Sequence, residues 1–296
     1  MVTAGSAYSV GVRGSPYTDL DRPPLSAASL RQALVTPDAL WTDLRVVDET
    51  ESTNADVAAA AREGAAQGLV LVAERQSAGR GRLDRRWESP PRAGLALSVL
   101  LRPKPGPNRY GWLPLLAGVA LVETVRRLGA VDAVLKWPND LLIGERKCAG
   151  ILAESSWTGT GAGSAGQRSS ADAVVLGIGL NVTLREAELP IPTATSLLLA
   201  GSECTDRDPL LRALLRNLAD GYRRWTDADG DPEASGLREA YRVHCATLGR
   251  AVRVGLPDGT DLTGTASDVD GAGRLVVTGP DGTATPVAAG DINHVR

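Results

Sequence analysis

Apolar residues along this chain fall into short runs separated by polar punctuation. The first are Leu44-Arg45-Val46-Val47 and Gly68 to Ala73; Leu95 to Leu101, Val134 to Lys136, Lys147 to Glu154 and Ala173 to Val182 follow. Runs of this length bounded by Gly, Pro, Asn and Asp read as strands. A proline turn and a hairpin-like break, Leu141 to Arg146, separate the middle ones. Helical spacing alternates with them: an Ala-rich segment from Ala55 to about Arg62, and Trp112 to Leu128 with Leu115, Val119, Val122 and Val125 along one face. Asp208 to Trp225 repeats the pattern with Leu211, Leu214, Leu215 and Leu218, and Glu233 to Ala246 reads as a further helix. Leu25 to Trp41 has spacing for a short helix carrying Leu30, Leu34 and Leu40.

From Leu248 onward the pattern changes. Val252-Arg253-Val254, Leu262 to Ala266, Leu275-Val276-Val277 and Thr285-Pro286-Val287 alternate with the turn signals Pro257-Asp258-Gly259, Asp270-Gly271 and Pro280-Asp281-Gly282. The expected class is α+β: a mixed β-sheet packed with helices over residues 41–246, then a small β-barrel-like domain over 247–296. Residues 1–40 read as a flexible tail, and the Gly/Ser-rich stretch 157–172 as a flexible surface insertion.

Composition narrows the partners. The chain has 296 residues and a formal net charge of −3, so a basic, generic nucleic-acid binder is disfavoured. No helix-turn-helix of plausible length fits before Trp41, and specific DNA binding is not expected. Cys148, Cys204 and Cys245 form no CxxC pair, and His244 and His294 are the two histidines, which disfavours a zinc site or disulfide framework and fits a reducing cytoplasm. No apolar run is long enough to suggest a membrane span, and Met1 to Ser15 lacks the apolar core of a signal peptide.

The stretch from Arg75 to Trp87, with Gly79-Arg80-Gly81-Arg82 at its centre, holds five arginines and reads as a mobile loop between two strands. Glycine lets such a backbone wrap closely around a ligand while guanidinium groups meet anionic oxygens. A solvated basic loop or a nucleic-acid-binding segment would look the same. Ser52, Thr53 and Asn54 suit a helix N-terminus, either as caps alone or as groups that receive polar atoms of a ligand. Lys136 with Asn139 and Asp140, and Lys147 at the head of an apolar strand, add cations from two further segments. A single aspartate near several cations suggests Mg²⁺ shared with phosphate oxygens. Gly177 and Gly179 leave one face of their strand bare, allowing close approach of a ligand or another backbone. There is no GxxxxGK[ST] motif, no GxGxxG entering a helix and no GxSxG. The residues alone thus point to a small phosphate-bearing ligand, a nucleotide by preference.

Five ordered motifs are specific in combination. Glu51-Ser52-Thr53-Asn54, Gln76 through Trp87, Lys136-Trp137-Pro138-Asn139-Asp140, Lys147-Cys148-Ala149-Gly150-Ile151-Leu152 and Gly177-Ile178-Gly179-Leu180-Asn181 resemble those of biotin–protein ligases, and Ala289 to Arg296 resembles the end of that family's C-terminal domain. The resemblance runs from about Leu44 to Arg296. It implies the family's class II aminoacyl-tRNA-synthetase-like fold with an SH3-like C-terminal domain, and a monofunctional ligase. The implied reaction joins biotin to ATP as biotinyl-5′-AMP, then transfers it to a lysine of a biotin carboxyl carrier protein or domain of acyl-CoA or pyruvate carboxylases. Lys147 would be the main electrostatic catalyst, with Arg82. Biotin would be held by Ser52, Thr53, Asn54, Gln76, Gly79, Arg80, Gly81, Arg82, Lys147, Gly150, Gly177 and Gly179. The adenylate would be held by Arg82, Arg85, Trp87, Lys136, Asn139, Asp140, Lys147 and Asn181, with Mg²⁺ at Asp140. A monomer or weak homodimer is expected. The related lipoate–protein ligases are the nearest alternative, and the GRGR loop with the KWPND segment favours biotin. Asp84 stands where the family loop commonly has glycine, and Cys148 where it usually has an aliphatic residue.

Overall fold

The computed structural model describes residues 21–82, 85–156, 173–256, 259–288 and 290–294. Asp84 and the 157–172 insertion lie outside the described residues, as does the tail before residue 21. The larger sheet takes its strands in the order β1-β2-β3-β7-β6-β5-β4. These are β1 (Asp43–Val47), β2 (Leu69–Ala73), β3 (Gly94–Leu101), β4 (Ala133–Lys136), β5 (Asp140–Ile143), β6 (Arg146–Ser156) and β7 (Ala173–Asn181). β1 and β2 pair in parallel, and helix α2 (Thr53–Arg62) is the crossover that a parallel pair requires; the other pairings are antiparallel. Every residue of β2 and β7 is buried, which is why these strands read as continuous apolar runs.

The two sheet faces differ. Leu95, Leu97, Val99, Ile151, Ile178 and Leu180 form one core with α3 (Trp112–Gly129) and α4 (Arg207–Asp227). On the other face, α2 packs Val57 and Ala61 against Leu69, Leu71, Leu100 and Val175. That helix covers only part of its face, and the functional site occupies the remainder.

Residues 21–40 correct the expectation of a flexible tail. Helix α1 (Ala27–Leu34) is capped by the Ser26 side chain and buries Leu30 and Leu34 in the main core. Arg207 ion-pairs with Glu74, both almost fully buried, and also donates to the carbonyl of Pro23, while Glu74 accepts from the Leu25 amide. Removing one partner of such a pair strands a buried charge at a cost of roughly 3–5 kcal/mol. The supposed break at Leu141–Arg146 is mostly strand, with the turn confined to Gly144 and Glu145. Helix α5 (Leu237–His244) starts later than its apolar pattern suggests, because Gly236 takes a left-handed conformation at its start.

The C-terminal sheet runs β11-β10-β9-β8-β12, from β8 (Ala251–Gly255), β9 (Asp261–Val269), β10 (Leu275–Thr278), β11 (Ala284–Val287) and β12 (Asp291–His294). It docks firmly on the larger unit. Arg238 and Arg242 both donate to Asp268, the Trp137 indole donates to the Gly273 carbonyl at 3.2 Å, and Arg109 donates to Gly271 at 3.1 Å. A cis peptide joins Trp137 and Pro138.

Candidate active site

Strand register builds the floor. Lys136, Asp140, Gly150, Gly179 and Ala96 stand side by side across β4, β5, β6, β7 and β3. Two residues along, Leu152, Gly177 and Ser98 form a second row on the same face. Strand alternation alone would put Lys147 on the face opposite Gly150. A bulge between β5 and β6 prevents this: Leu141 pairs with Ala149 and Leu142 with Lys147, so Cys148 has no partner on β5. The lysine is thereby turned onto the floor, where a β-carbon at Gly150 would lie 3.3 Å from its Cε and Nζ. Cys148 points into the helical core, and burial lifts its thiol pKa to about 12. It packs as a small hydrophobe.

The Lys147 ammonium lies 2.6 Å from Asp140 Oδ1 and 5.9 Å from the centre of the Trp87 ring. Asp140 Oδ1 is buried without a well-aligned hydrogen bond, so its attraction to the lysine is that of an ion pair. The backbone of Lys147 is clamped on its outer side by hydrogen bonds to Thr193 and from Thr195, each 2.8 Å. Asn181 was expected to face the nucleotide. Its side chain is 3% exposed and donates to the Thr195 carbonyl at 2.9 Å, so its amide holds this same clamp.

The arginine-rich stretch folds back on itself. Trp87 donates through its backbone to Gly79 at 2.9 Å, Gly81 to Arg85 at 2.6 Å, and Arg80 bridges Arg86. Arg82 donates to Asn139 Oδ1 at 3.3 Å, and the Asn139 side chain in turn donates to the Ile151 carbonyl at 3.0 Å. The hairpin is thus tied to the β4–β5 turn. Its closing residue, Trp87, lies on Gly179: a β-carbon there would come within 3.0 Å of the indole.

At the other end, the pairing of β1 and β2 continues past both strands through Thr50 and Gln76, bringing the start of α2 beside the arginine segment. Ser52 caps the helix by accepting from the Ala55 amide. Gln76 Oε1 accepts from the Thr53 amide at 2.8 Å and lies 3.0 Å from the Thr53 hydroxyl. Ser98 Oγ is 2.7 Å from Thr53 Oγ1 and 2.6 Å from Asn54 Oδ1, and Asn54 Nδ2 donates to Glu154 at 2.6 Å.

These elements enclose a cavity of about 790 Å³. Of the residues singled out by sequence, all but Gly79 line it. Gly79 instead packs against the Trp87 carbonyl and the Gln76 amide, as the hairpin closure needs. The bare faces of Gly177 and Gly179 were expected to receive the ligand. They are filled here by Asn54 and Trp87, respectively. Sequence reasoning missed Ser98 and Glu154; Ser98 was visible as the one hydroxyl in the apolar run from Leu95 to Leu101. It also missed Arg250, Gly290 and Ile292, which bring the C-terminal unit into the cavity wall and carry no local motif. Among the described residues, no group of three or more His, Cys, Asp and Glu side chains could hold a metal ion, and no helix is long and apolar enough to cross a membrane.

Residues 45–166 match the Biotin/lipoate A/B protein ligase family, and residues 247–295 match the Biotin protein ligase C terminal domain. The biotin–[acetyl-CoA-carboxylase] ligase of Mycobacterium tuberculosis is 42% identical over 94% of this chain and 100% of its own length. The structure of the Aquifex aeolicus biotin protein ligase in complex with biotin and ATP superposes with a TM-score of 0.68 at 26% identity, covering 86% of this chain and 100% of that one. A Leishmania major biotin protein ligase with bound biotinyl-5-AMP gives a TM-score of 0.54 at 25% identity, over 84% of this chain and 99% of that one.

Proposed function

The chain belongs to the biotin protein ligase family, and on that premise we propose how its residues carry out the ATP-dependent biotinylation of a carrier protein. The observation that carries the reading is the position of Lys147. It lies between a polar end, made by Thr53 and Gln76, and a cationic end, made by Arg82, Arg85 and Lys136.

In the first half-reaction a biotin carboxylate oxygen attacks the α-phosphorus of ATP; the new P–O bond forms as the bond to pyrophosphate breaks. Two anions must meet, so the chief need is for fixed positive charge where negative charge accumulates. Lys147 supplies it between carboxylate and α-phosphate. Its ion pair with Asp140 keeps the ammonium aimed at the floor until the substrates arrive. Thr53 and Gln76 hold the ureido ring, with Ser52 and Asn54 shaping that end. Arg80, Gly81 and Arg82 close over the acyl-adenylate, Arg85, Trp87, Lys136 and Asn139 face the nucleotide, and Asn181 holds the Thr195 segment that clamps Lys147. In the second half-reaction the carrier lysine amine attacks the anhydride carbonyl carbon, AMP leaves, and an amide remains.

Mg²⁺ comes with the nucleotide. Asp140 is the carboxylate on the cavity floor that would hold it, together with oxygens of the substrate phosphates. The carrier we propose is a carboxyl carrier domain of an acyl-CoA or pyruvate carboxylase. The three unpaired cysteines suit a reducing cytoplasm. The boundary proposed between the two units lies at 246/247, with α1 belonging to the larger one, and a monomer or weak homodimer is the proposed state.

Mixing the protein with biotin, MgATP and a biotin carboxyl carrier domain should add one biotinyl group, the mass of biotin less one water, to the carrier. A folded sample that leaves the carrier unmodified would overturn this reading. The first family match covers lipoate ligases too, whereas the C-terminal match is to biotin ligases; octanoate should therefore fail to displace biotin.

A further inference from the structure

The cavity's polar end is backed by a chain of hydrogen bonds whose direction is set from outside it. A hydroxyl has one proton, a carboxylate none to give, and an amide separates its donor from its acceptor. Asn54 Nδ2 donates to Glu154 Oε2 at 2.6 Å and to the Leu152 carbonyl at 3.4 Å. The amide orientation is therefore fixed, and Asn54 Oδ1 must accept. It accepts from Ser98 at 2.6 Å, which uses the only proton Ser98 has. The 2.7 Å contact between Ser98 and Thr53 then takes its proton from Thr53. If the Thr53 proton turns instead toward Gln76 Oε1 at 3.0 Å, it is still spent on the protein. Either way Thr53 Oγ1 faces the cavity with lone pairs alone. Gln76, whose Oε1 is occupied by the Thr53 amide, has its Nε2 left to donate. An acceptor beside a donor matches one edge of a urea, which offers N–H and C=O.

We infer that Glu154, outside the cavity wall, is a positioning residue: through Asn54 and Ser98 it sets the polarity of this chain and so commits Thr53 to accept a ligand N–H. The inference rests on the biotin reading and names the part of the head group that it selects. Without the carboxylate, only the long 3.4 Å contact to the Leu152 carbonyl still holds the Asn54 amide, which can then rotate by half a turn. Oδ1 would then leave Ser98 facing an N–H, the Ser98 proton would turn back to Thr53, and Thr53 would offer a proton where acceptance is needed. Asn54 is 5% exposed and fills the space that a β-carbon at Gly177 would take, so the flip needs no displacement of the side chain.

The test uses the full chain, with titration calorimetry against biotin and against an analogue whose ureido N–H is replaced by oxygen. Glu154→Leu should weaken biotin about tenfold or more, equivalent to about 1.4 kcal/mol. It should barely change the analogue, which has no N–H to lose, and should leave the KM for ATP unchanged. Glu154→Gln, whose carbonyl can still accept from Asn54, should recover most of the affinity and also covers the case in which the leucine variant folds poorly. Unchanged biotin affinity in Glu154→Leu would overturn the inference, as would equal losses for biotin and analogue, which a merely structural role predicts. A wild-type protein that binds no biotin would overturn the functional reading and this inference with it.

Discussion

The indole of Trp87 rests on Gly179, close enough that a β-carbon at position 179 would overlap Cε2 and Nε1 of the ring. One glycine on β7 thereby decides where the arginine hairpin ends. Gly179→Val should force the indole away at an overpacking cost of about 1–3 kcal/mol. For a chain of this size that is a fall in Tm of very roughly 2–8 °C. Because the two residues share one contact, Trp87→Ala should relieve most of the loss when combined with Gly179→Val. Additive losses in thermal melts of the four proteins would show that the contact is not the cause.

Lys147 is the residue on which chemistry and packing separate most cleanly. Its ammonium and the Asp140 carboxylate belong to side chains that are 30% and 21% exposed, so the pair is worth less to folding than the buried Glu74–Arg207 pair. Lys147→Ala should therefore leave Tm within a few degrees of wild type. It should slow single-turnover biotinyl-AMP formation by about 10²–10³, the usual scale for losing one preorganised charge. Lys147→Arg should not restore the rate, because a planar guanidinium cannot occupy the narrow space beside Gly150 in the same way. A rate loss matched by an equal loss of stability would make the lysine structural.

Much of the fold was legible because burial on both faces leaves long apolar runs, as in β2 and β7, and because α3 is apolar for most of its length. Three features were not. The side on which Lys147 emerges depends on the bulge that unpairs Cys148, and a one-residue slip in pairing has no signature in composition. The short helix carrying Leu30 and Leu34 was expected, yet the Gly/Pro-rich residues before it suggested a loose tail; the Glu74–Arg207 pair that holds that segment joins residues 133 positions apart. β12 has a single buried apolar side chain, Ile292, and is ordered by its register against β8. In the site, the residue types were readable and their partners were not. Gly177 and Gly179 announced a space, and only coordinates show that Asn54 and Trp87 fill it.

Arg82 reaches Asn139 from the hairpin and ties the two walls over the proposed adenylate. Arg82→Gly should keep adenylate synthesis within about tenfold of wild type while shortening retention of the product by a similar factor or more. Biotinyl-AMP released into solution would then label surface lysines of a bystander such as serum albumin. Gel filtration of the enzyme with labelled intermediate, together with a blot of the bystander, reads both effects. Undiminished retention would remove Arg82 from this role.

Alkaline stability offers a test of the core that needs no substrate. Burial raises the Cys148 thiol from an ordinary 9.0 to about 12, and burial likewise raises Cys245, Tyr222 and Tyr241. Above pH 9 the unfolded chain gives up the Cys148 proton while the folded chain keeps it, so the unfolded state binds fewer protons and stability falls as pH rises. The contribution of Cys148 is complete below pH 9 and is lost between pH 9 and about 12, at roughly 1.4 kcal/mol per pH unit. Cys148→Ala abolishes that titration at the cost of a small cavity. In urea unfolding at pH 8 the variant should be the less stable protein, and the gap should close as the pH is raised toward 11 because only the wild type loses this proton on unfolding. Two curves that stay parallel across that range would mean that Cys148 titrates alike in both states and that its burial is not what the packing indicates.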